Sequence, residues 1–217
     1  FNLAGIHTSA SNDFEKSVRP FCKTRQGTAI GEMSCVLVLE EKNRALERGA
    51  KIYGEIIAFA DAIDSSPKSF EALSPDGAPY GKVIKKVINN AKISPADIDF
   101  VIAHGTGTKA NDEIELRALD RVYGELKHPL TFSLKGITGH GVGACSALEI
   151  AVGLYAMNKS IIPPCANIVE LDSISQNQNI SLETKNAKIN YLLKMGSGFG
   201  GYISAMLLKN TGGNING

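Results

Sequence analysis

The segment "GVGACSALEIAVGLYAMN" (141–158) constrains this chain most, because it is apolar on nearly every side and carries a single charge, Glu149. A surface helix keeps a polar face; one that lacks it is either enclosed by protein or spans a membrane. The run is marginal in length for a bilayer and Glu149 interrupts it, so the expected state is a central helix packed closely on several sides. Its Gly, Ala and Ser residues would let other backbones approach.

The rest of the chain alternates between strand and helix patterns. "SCVLVLEE" (34–41) predicts a buried strand, "EKNRALERGA" (41–50) a helix ended by Gly49, and "KIYGEIIAFA" (51–60) a second strand. A proline- and glycine-bearing loop (64–81) follows and offers a boundary. In "YGKVIKKVINNA" (80–91), Val83, Ile84, Val87 and Ile88 share one helical face, opposite Lys85, Lys86, Asn89 and Asn90. "SPAD" (94–97) supplies a Ser cap, a Pro at the first helical position and an acid at the third. "IDFVIA" (98–103), "LTFSL" (130–134), "INYLLKM" (189–195) and "YISAMLL" (202–208) read as strands, and "NDEIELRALDRVYG" (111–124) as an amphipathic helix ending at Gly124. The class is therefore α/β. The tail "KNTGGNING" (209–217) is polar and expected to be mobile.

Charge excludes some partners. With 23 basic and 22 acidic residues and a net charge of +1, no basic footprint for nucleic acid or an anionic membrane is present. Cys22, Cys35, Cys145 and Cys165 form no Cys-x-x-Cys pair and no zinc spacing with histidine, so no metal site is expected. Scattered thiols suit a reduced, cytoplasmic setting. The sequence opens at Phe1, so the absence of a leader carries no weight.

"GSGFGG" (196–201) fits G-x-G-x-x-G, but a dinucleotide loop opens a helix within a βαβ unit, whereas the residues after Gly201 read as a strand. A glycine turn between strands, with backbone N–H groups able to line a site, fits better. His104 ends a strand in "IAHGTGT", and His140 lies in "SLKGITGHGVGA", also after a strand, with Lys135 five residues earlier. Either histidine could be a satisfied strand-end side chain. Together with Lys135 they could meet at one edge of a sheet, where α/β proteins place their sites. Asp112 and Glu115 follow His104 at a helix start, where the helix dipole alone would favour acids.

"RPF…R.G…GE…VLVLEE" (19–41), "AHGTGT..ND..E" (103–115), "SLKGITGHGVGA" (133–144), "PP…N" (163–167) and "GFGG" (198–201) occur in the order found in β-ketoacyl synthases, and the chain resembles that family across nearly its whole length. The resemblance implies a thiolase-like fold of two α/β halves in an αβαβα stack. This chain would hold the end of the first half (1–64), the second half (65–208) and a flexible tail (209–217). It implies an acyltransferase of fatty-acid or polyketide synthesis that condenses malonyl carried on acyl carrier protein with an acyl thioester. The substrates would ride on phosphopantetheine, and no further cofactor or metal would be needed. His104 and His140 would donate to the thioester oxygen during decarboxylation, Lys135 would orient them, and Glu115 would pair within the network. The Phe199 backbone N–H, between Gly198 and Gly200, would serve the acyl-enzyme oxyanion. Thr106 and Thr108 would hold the malonyl or pantetheine end.

The family's cysteine nucleophile lies in the first half, and none of the four cysteines fits its motif. Cys145 falls where the family has small packing residues. This chain alone is therefore expected not to condense, and the missing half or a partner ketosynthase chain would complete it, in a dimer. A silent, chain-length-factor-like subunit and a binding module for acyl carrier protein are the alternatives. Ser197 replaces an aromatic before the GFGG turn, Tyr202 and Ile203 replace small polar residues after it, and Cys22 and Gln26 replace acids, so the pocket and its gate are expected to differ.

Overall fold

A computed structural model describes residues 7–8, 14–66, 73–176 and 178–212. In chain order the elements are α1 (Lys42–Glu47), β1 (Glu55–Ile63), α2 (Ala78–Ala91), β2 (Phe100–Ile102), α3 (Lys109–Tyr123), β3 (Leu130–Phe132), α4 (Lys135–Thr138), α5 (Cys145–Lys159), β4 (Ile161–Ile162), β5 (Lys185–Asn186), β6 (Tyr191–Gly198) and β7 (Tyr202–Lys209). Five strands make one mixed sheet in the order β1-β7-β6-β2-β3, and β4 pairs with β5 apart from it. β3, β2 and β6 run parallel; β7 is antiparallel to both β6 and β1. The three parallel strands therefore end along one edge, which fixes where their following residues meet.

The expected helix faces are the buried ones. Val83, Ile84, Val87 and Ile88 of α2 turn inward, α2 packs on β1, β7 and α3, and the lysines and asparagines between them are exposed. Each such side chain removed from water stabilises the fold by roughly 1.5–3 kcal/mol. α3 starts at Thr108, whose hydroxyl accepts the Asn111 N–H, and stops at Gly124. Ser94 and Asp97 form a reciprocal cap on a single 3-10 turn rather than a longer helix. The GSGFGG segment turns β6 into β7, and a side chain at Gly201 (φ +78°) would meet the Asp64 carbonyl at 2.1 Å.

Three expectations need correction. Residues 34–41 are not a strand: the segment has no sheet partner among the described residues, and Val36, Val38 and Leu39 are exposed. An apolar, β-branched run specifies an extended chain, but a ladder also needs a neighbour. The central helix is only partly enclosed among the described residues, although Leu148, Ile150, Val152 and Leu154 also pack on the core. Gly153 of α5 sits against Ile102 and Leu192, while Ser146 and Tyr155 are exposed. The division drawn at residue 64 also separates β1 from its sheet, because β1 pairs with β7 along its length. No helix among the described residues is long and apolar enough to cross a membrane. Within the proline-rich loop, residues 67–72 lie outside the described residues, as do 213–217 of the tail.

Candidate active site

β2 delivers His104 two residues past its end, β3 delivers Lys135, and β6 delivers Gly198 and Phe199. Because these strands are parallel, the residues converge at the carboxyl edge of the sheet, the usual location of α/β sites. There a cavity of about 650 Å³ is lined by His104, His140, Thr106, Thr108, Phe199 and Gly198, among others. Gly200, at φ +75°, shapes the turn without lining the cavity.

The two imidazoles stand edge to face, with ring centroids 5.2 Å apart. Their protonation follows from their partners. The Val142 N–H donates to His140 Nδ1 at 3.1 Å. The Lys135 ammonium lies 3.4 Å from His104 Nδ1 and 2.5 Å from the His104 carbonyl. An amide and an ammonium can only donate, so both Nδ1 atoms accept and each neutral ring carries its proton on Nε2. Burial, and then the Lys135 charge, pull the His140 pKa down to about 4; burial, Lys135 and Lys194 hold His104 well below the ordinary histidine range. Both rings are therefore neutral Nε2–H donors at neutral pH. Val142 has φ +50°, a costly conformation for a β-branched residue, and its N–H is the one that fixes His140.

Lys135 is fully buried, and its charge is met by Glu149 at 2.5 Å. The other Glu149 oxygen lies 2.8 Å from the buried Lys194 ammonium, which also donates to the Met195 carbonyl. Burial would raise the Glu149 pKa, but Lys194 and Lys135 together hold it below the usual carboxylate range. Neither Glu149 nor Lys194 stands out by motif. The available signal was simpler: a lone charge in an apolar helix, and another in an apolar strand, each need a buried partner.

Glu115 sits elsewhere in this arrangement. Its carboxylate accepts the His104 and Gly105 N–H groups at 2.7 Å each and the Asn111 amide at 2.8 Å. It holds the backbone turn that carries His104, whereas Glu149 is the acid bound to Lys135. Asp112 does similar work, accepting the Phe21 N–H at 2.9 Å and the Gly107 N–H at 3.1 Å. Burial pushes Glu115 up to about 7 and Asp112 up to about 6, against the pull of these amides. Ser197 donates to the Asn111 side-chain Oδ1 at 2.9 Å, and Thr106 and Thr108 share a hydrogen bond of 2.9 Å.

The segment before residue 32 pins both histidine loops. Arg25 is buried, pairs with Asp172, and donates to the carbonyls of Cys22, Thr108 and Lys109. Gly27 N–H donates to the Gly107 carbonyl at 3.0 Å, and His140 N–H to Ala29 at 2.7 Å. Gly31 packs so closely that a Cβ there would lie 2.1 Å from the Thr138 carbonyl. Asn167 ties the same region together through the Val18 and Gly136 carbonyls.

No cysteine is placed as a nucleophile facing the cavity. Cys145 is buried, its sulfur accepts the Gly141 N–H at 3.1 Å and lies 3.3 Å from His140 Nδ1, and burial raises its pKa. It does not line the cavity. Burial pushes Cys165 up to about 12.

Comparison with known proteins gives this geometry a context. Residues 53–169 match the family model described as the β-ketoacyl synthase C-terminal domain. The actinorhodin polyketide putative β-ketoacyl synthase 1 of Streptomyces coelicolor is 35% identical over 210 residues, which cover 96% of this chain and 44% of that protein. The 3-oxoacyl-[acyl-carrier-protein] synthase 1 of Buchnera aphidicola is 35% identical over 207 residues, covering 95% of this chain and 49% of its own length. A solved type II polyketide synthase ketosynthase, in complex with its acyl-carrier protein and bound to the hexaketide, superposes with a TM-score of 0.92 at 28% identity, covering 97% of this chain and 52% of that one. The ishigamide ketosynthase/chain length factor superposes with a TM-score of 0.88 at 33% identity, covering 98% and 50%. The chain thus spans about half the length of the curated relatives it matches.

Proposed function

The chain belongs to the β-ketoacyl synthase family and has its thiolase-like α/β fold, and from that premise we propose that it supplies the decarboxylating half of a condensing site. The observation that carries this reading is the pair of imidazoles on one cavity, each with a donor group at its Nδ1, which leaves Nε2–H to face a substrate.

A malonyl thioester bound there places its carbonyl oxygen between the two donors. The C–C bond to the carboxylate breaks, carbon dioxide leaves, and the electron pair moves into an enolate whose charge rests on that oxygen. Donors already aimed at the developing charge cost no reorganisation in the transition state, and one such donor is commonly worth 10²–10³ in rate. Lys135 orients His104 through its carbonyl and Nδ1. Thr106 and Thr108, on the cavity wall, offer hydroxyls to the pantetheine arm. The enolate carbon then attacks an acyl thioester, and the departing thiolate leaves a β-keto product. The acyl-bearing thiol is supplied outside this sequence, with the Phe199 N–H as one donor to the acyl oxyanion.

Acyl carrier protein is the proposed partner, supported by the carrier complex of the relative described above. A cytoplasmic, dimeric assembly follows the same reading. The chain-length-factor alternative has less support, because a subunit that only shapes a partner's pocket needs neither histidine held in this tautomer.

The test is condensation by the native protein that contains this sequence, given malonyl-carrier protein and an acyl primer. A β-ketoacyl product, kept in Cys145→Ser and lost in His140→Ala, is expected. No product from the wild type, or an unimpaired His140→Ala, overturns the reading.

A further inference from the structure

Lys194 is the one charged residue of β6, set between Leu193 and Met195, and it is 3% exposed. Leu192, Lys194 and Gly196 alternate onto the face that α5 covers, which aims the ammonium at Glu149. A buried lysine loses both its water and its side-chain freedom, so its position needs a reason beyond packing. Glu149 already has one cation, Lys135, on Oε1 at 2.5 Å; Lys194 occupies Oε2 at 2.8 Å. The cluster under the two imidazoles is therefore two ammoniums and one carboxylate, with a net charge of +1.

We infer that Lys194 is a positioning residue of this site: by taking one oxygen of Glu149 it confines Lys135 to the other oxygen and to His104, and it leaves the cluster positive beneath the developing enolate. Without Lys194, Glu149 can turn both oxygens to Lys135 and draw the ammonium away from His104 Nδ1. The surplus charge also opposes protonation of either ring. The charged and titratable groups around the imidazoles are Lys135 from α4, Glu149 and Cys145 from α5, Lys194 from β6, Glu115 behind the His104 turn, Glu113 at the cavity wall, and each ring to the other. Lys194 is the cation here that touches neither ring, so its effect passes through Glu149 and through the field. For its consequence in catalysis the inference rests on the proposed decarboxylation; its test does not.

The test is a ¹⁵N NMR titration of the histidine side chains in the whole protein, with His104 and His140 assigned by His→Gln variants. In the wild type both rings stay neutral with Nε2 protonated through pH 6. In Lys194→Met the titration midpoints of both rings rise by roughly one pH unit, the size expected for one charge at such range. Lys194→Gln keeps a donor to Glu149 but removes the charge, so it guards against a Met variant that does not fold. Its midpoints also rise. Midpoints unchanged in a folded Met or Gln variant overturn the inference. If the midpoints move while the native protein releases no carbon dioxide from malonyl thioesters, the inference stands and the functional reading falls.

Discussion

Glu149→Gln tests the charge arithmetic under the site most sharply. Glu149, Lys135 and Lys194 are all buried, with ammonium–carboxylate distances of 2.5 and 2.8 Å. At an effective dielectric near 20, Coulomb's law gives about 6 kcal/mol for each contact. Desolvation of three ions offsets most of that sum, but removing one partner leaves that cost unpaid, and such losses run to about 3–5 kcal/mol. Against a total stability of about 5–15 kcal/mol, that is a large share of what holds the fold at pH 7.5. Glu149 has a depressed pKa in the folded protein, so its contribution is fully present above the ordinary carboxylate pKa and is lost as pH falls through the lower folded value. The difference between wild type and Glu149→Gln therefore shrinks only in acid. The assay is urea unfolding followed by far-UV circular dichroism, since the chain has no tryptophan. Glu149→Gln with Lys194→Met restores the wild-type net charge and recovers at least about 1.5 kcal/mol, a non-additive result. A single-variant cost under about 1 kcal/mol, or simple additivity in the double variant, refutes the reasoning.

Three further outcomes follow from the same geometry. Gly31→Ala places a Cβ on the Thr138 carbonyl and should cost about 1–3 kcal/mol, lowering the unfolding midpoint and impairing the His140 loop; an unchanged midpoint contradicts the close packing. His140 has its pKa lowered to about 4, so its contribution to stability is present above about pH 6.5 and is lost as pH falls toward 4. Wild type should lose about 2 kcal/mol more than His140→Gln over that window in urea titrations, after allowance for solvent screening. Iodoacetamide at pH 7.5 should modify the partly exposed Cys35 well before the buried Cys145, read by peptide mass; faster labelling of Cys145 would revive it as a nucleophile.

What the sequence disclosed was what is local. Val83 to Ile88 repeat at helical spacing, Gly124 ends α3, and the GFGG turn is followed by a strand pattern and so reads as a reversal between strands. Each depends on near neighbours along the chain. The strand expected at 34–41 failed for the converse reason, since pairing is decided by whatever lies beside it. β4 and β5 have two residues each and carry no periodic signal. The division at 64 followed composition, but sheet membership follows hydrogen bonds, and those of β1 run to a strand near the other end of the chain. At the site, His104, His140 and Lys135 were legible from their motifs. Glu149 was visible only as the lone charge of an apolar run and Lys194 was not singled out, because their significance is mutual and arises across elements. Glu115 was legible as a site acid, but its partners, two backbone N–H groups in the His104 turn, were not.

The measurement that bears most directly on the central claim is carbon dioxide release from a malonyl thioester, uncoupled from condensation by omitting the acyl primer. It compares the native protein that contains this sequence with His104→Ala and His140→Ala. Two donors acting on one oxyanion predict a fall in kcat of about a hundredfold or more for each variant. Release that continues at the wild-type rate in either variant, or that changes only in KM, contradicts the account.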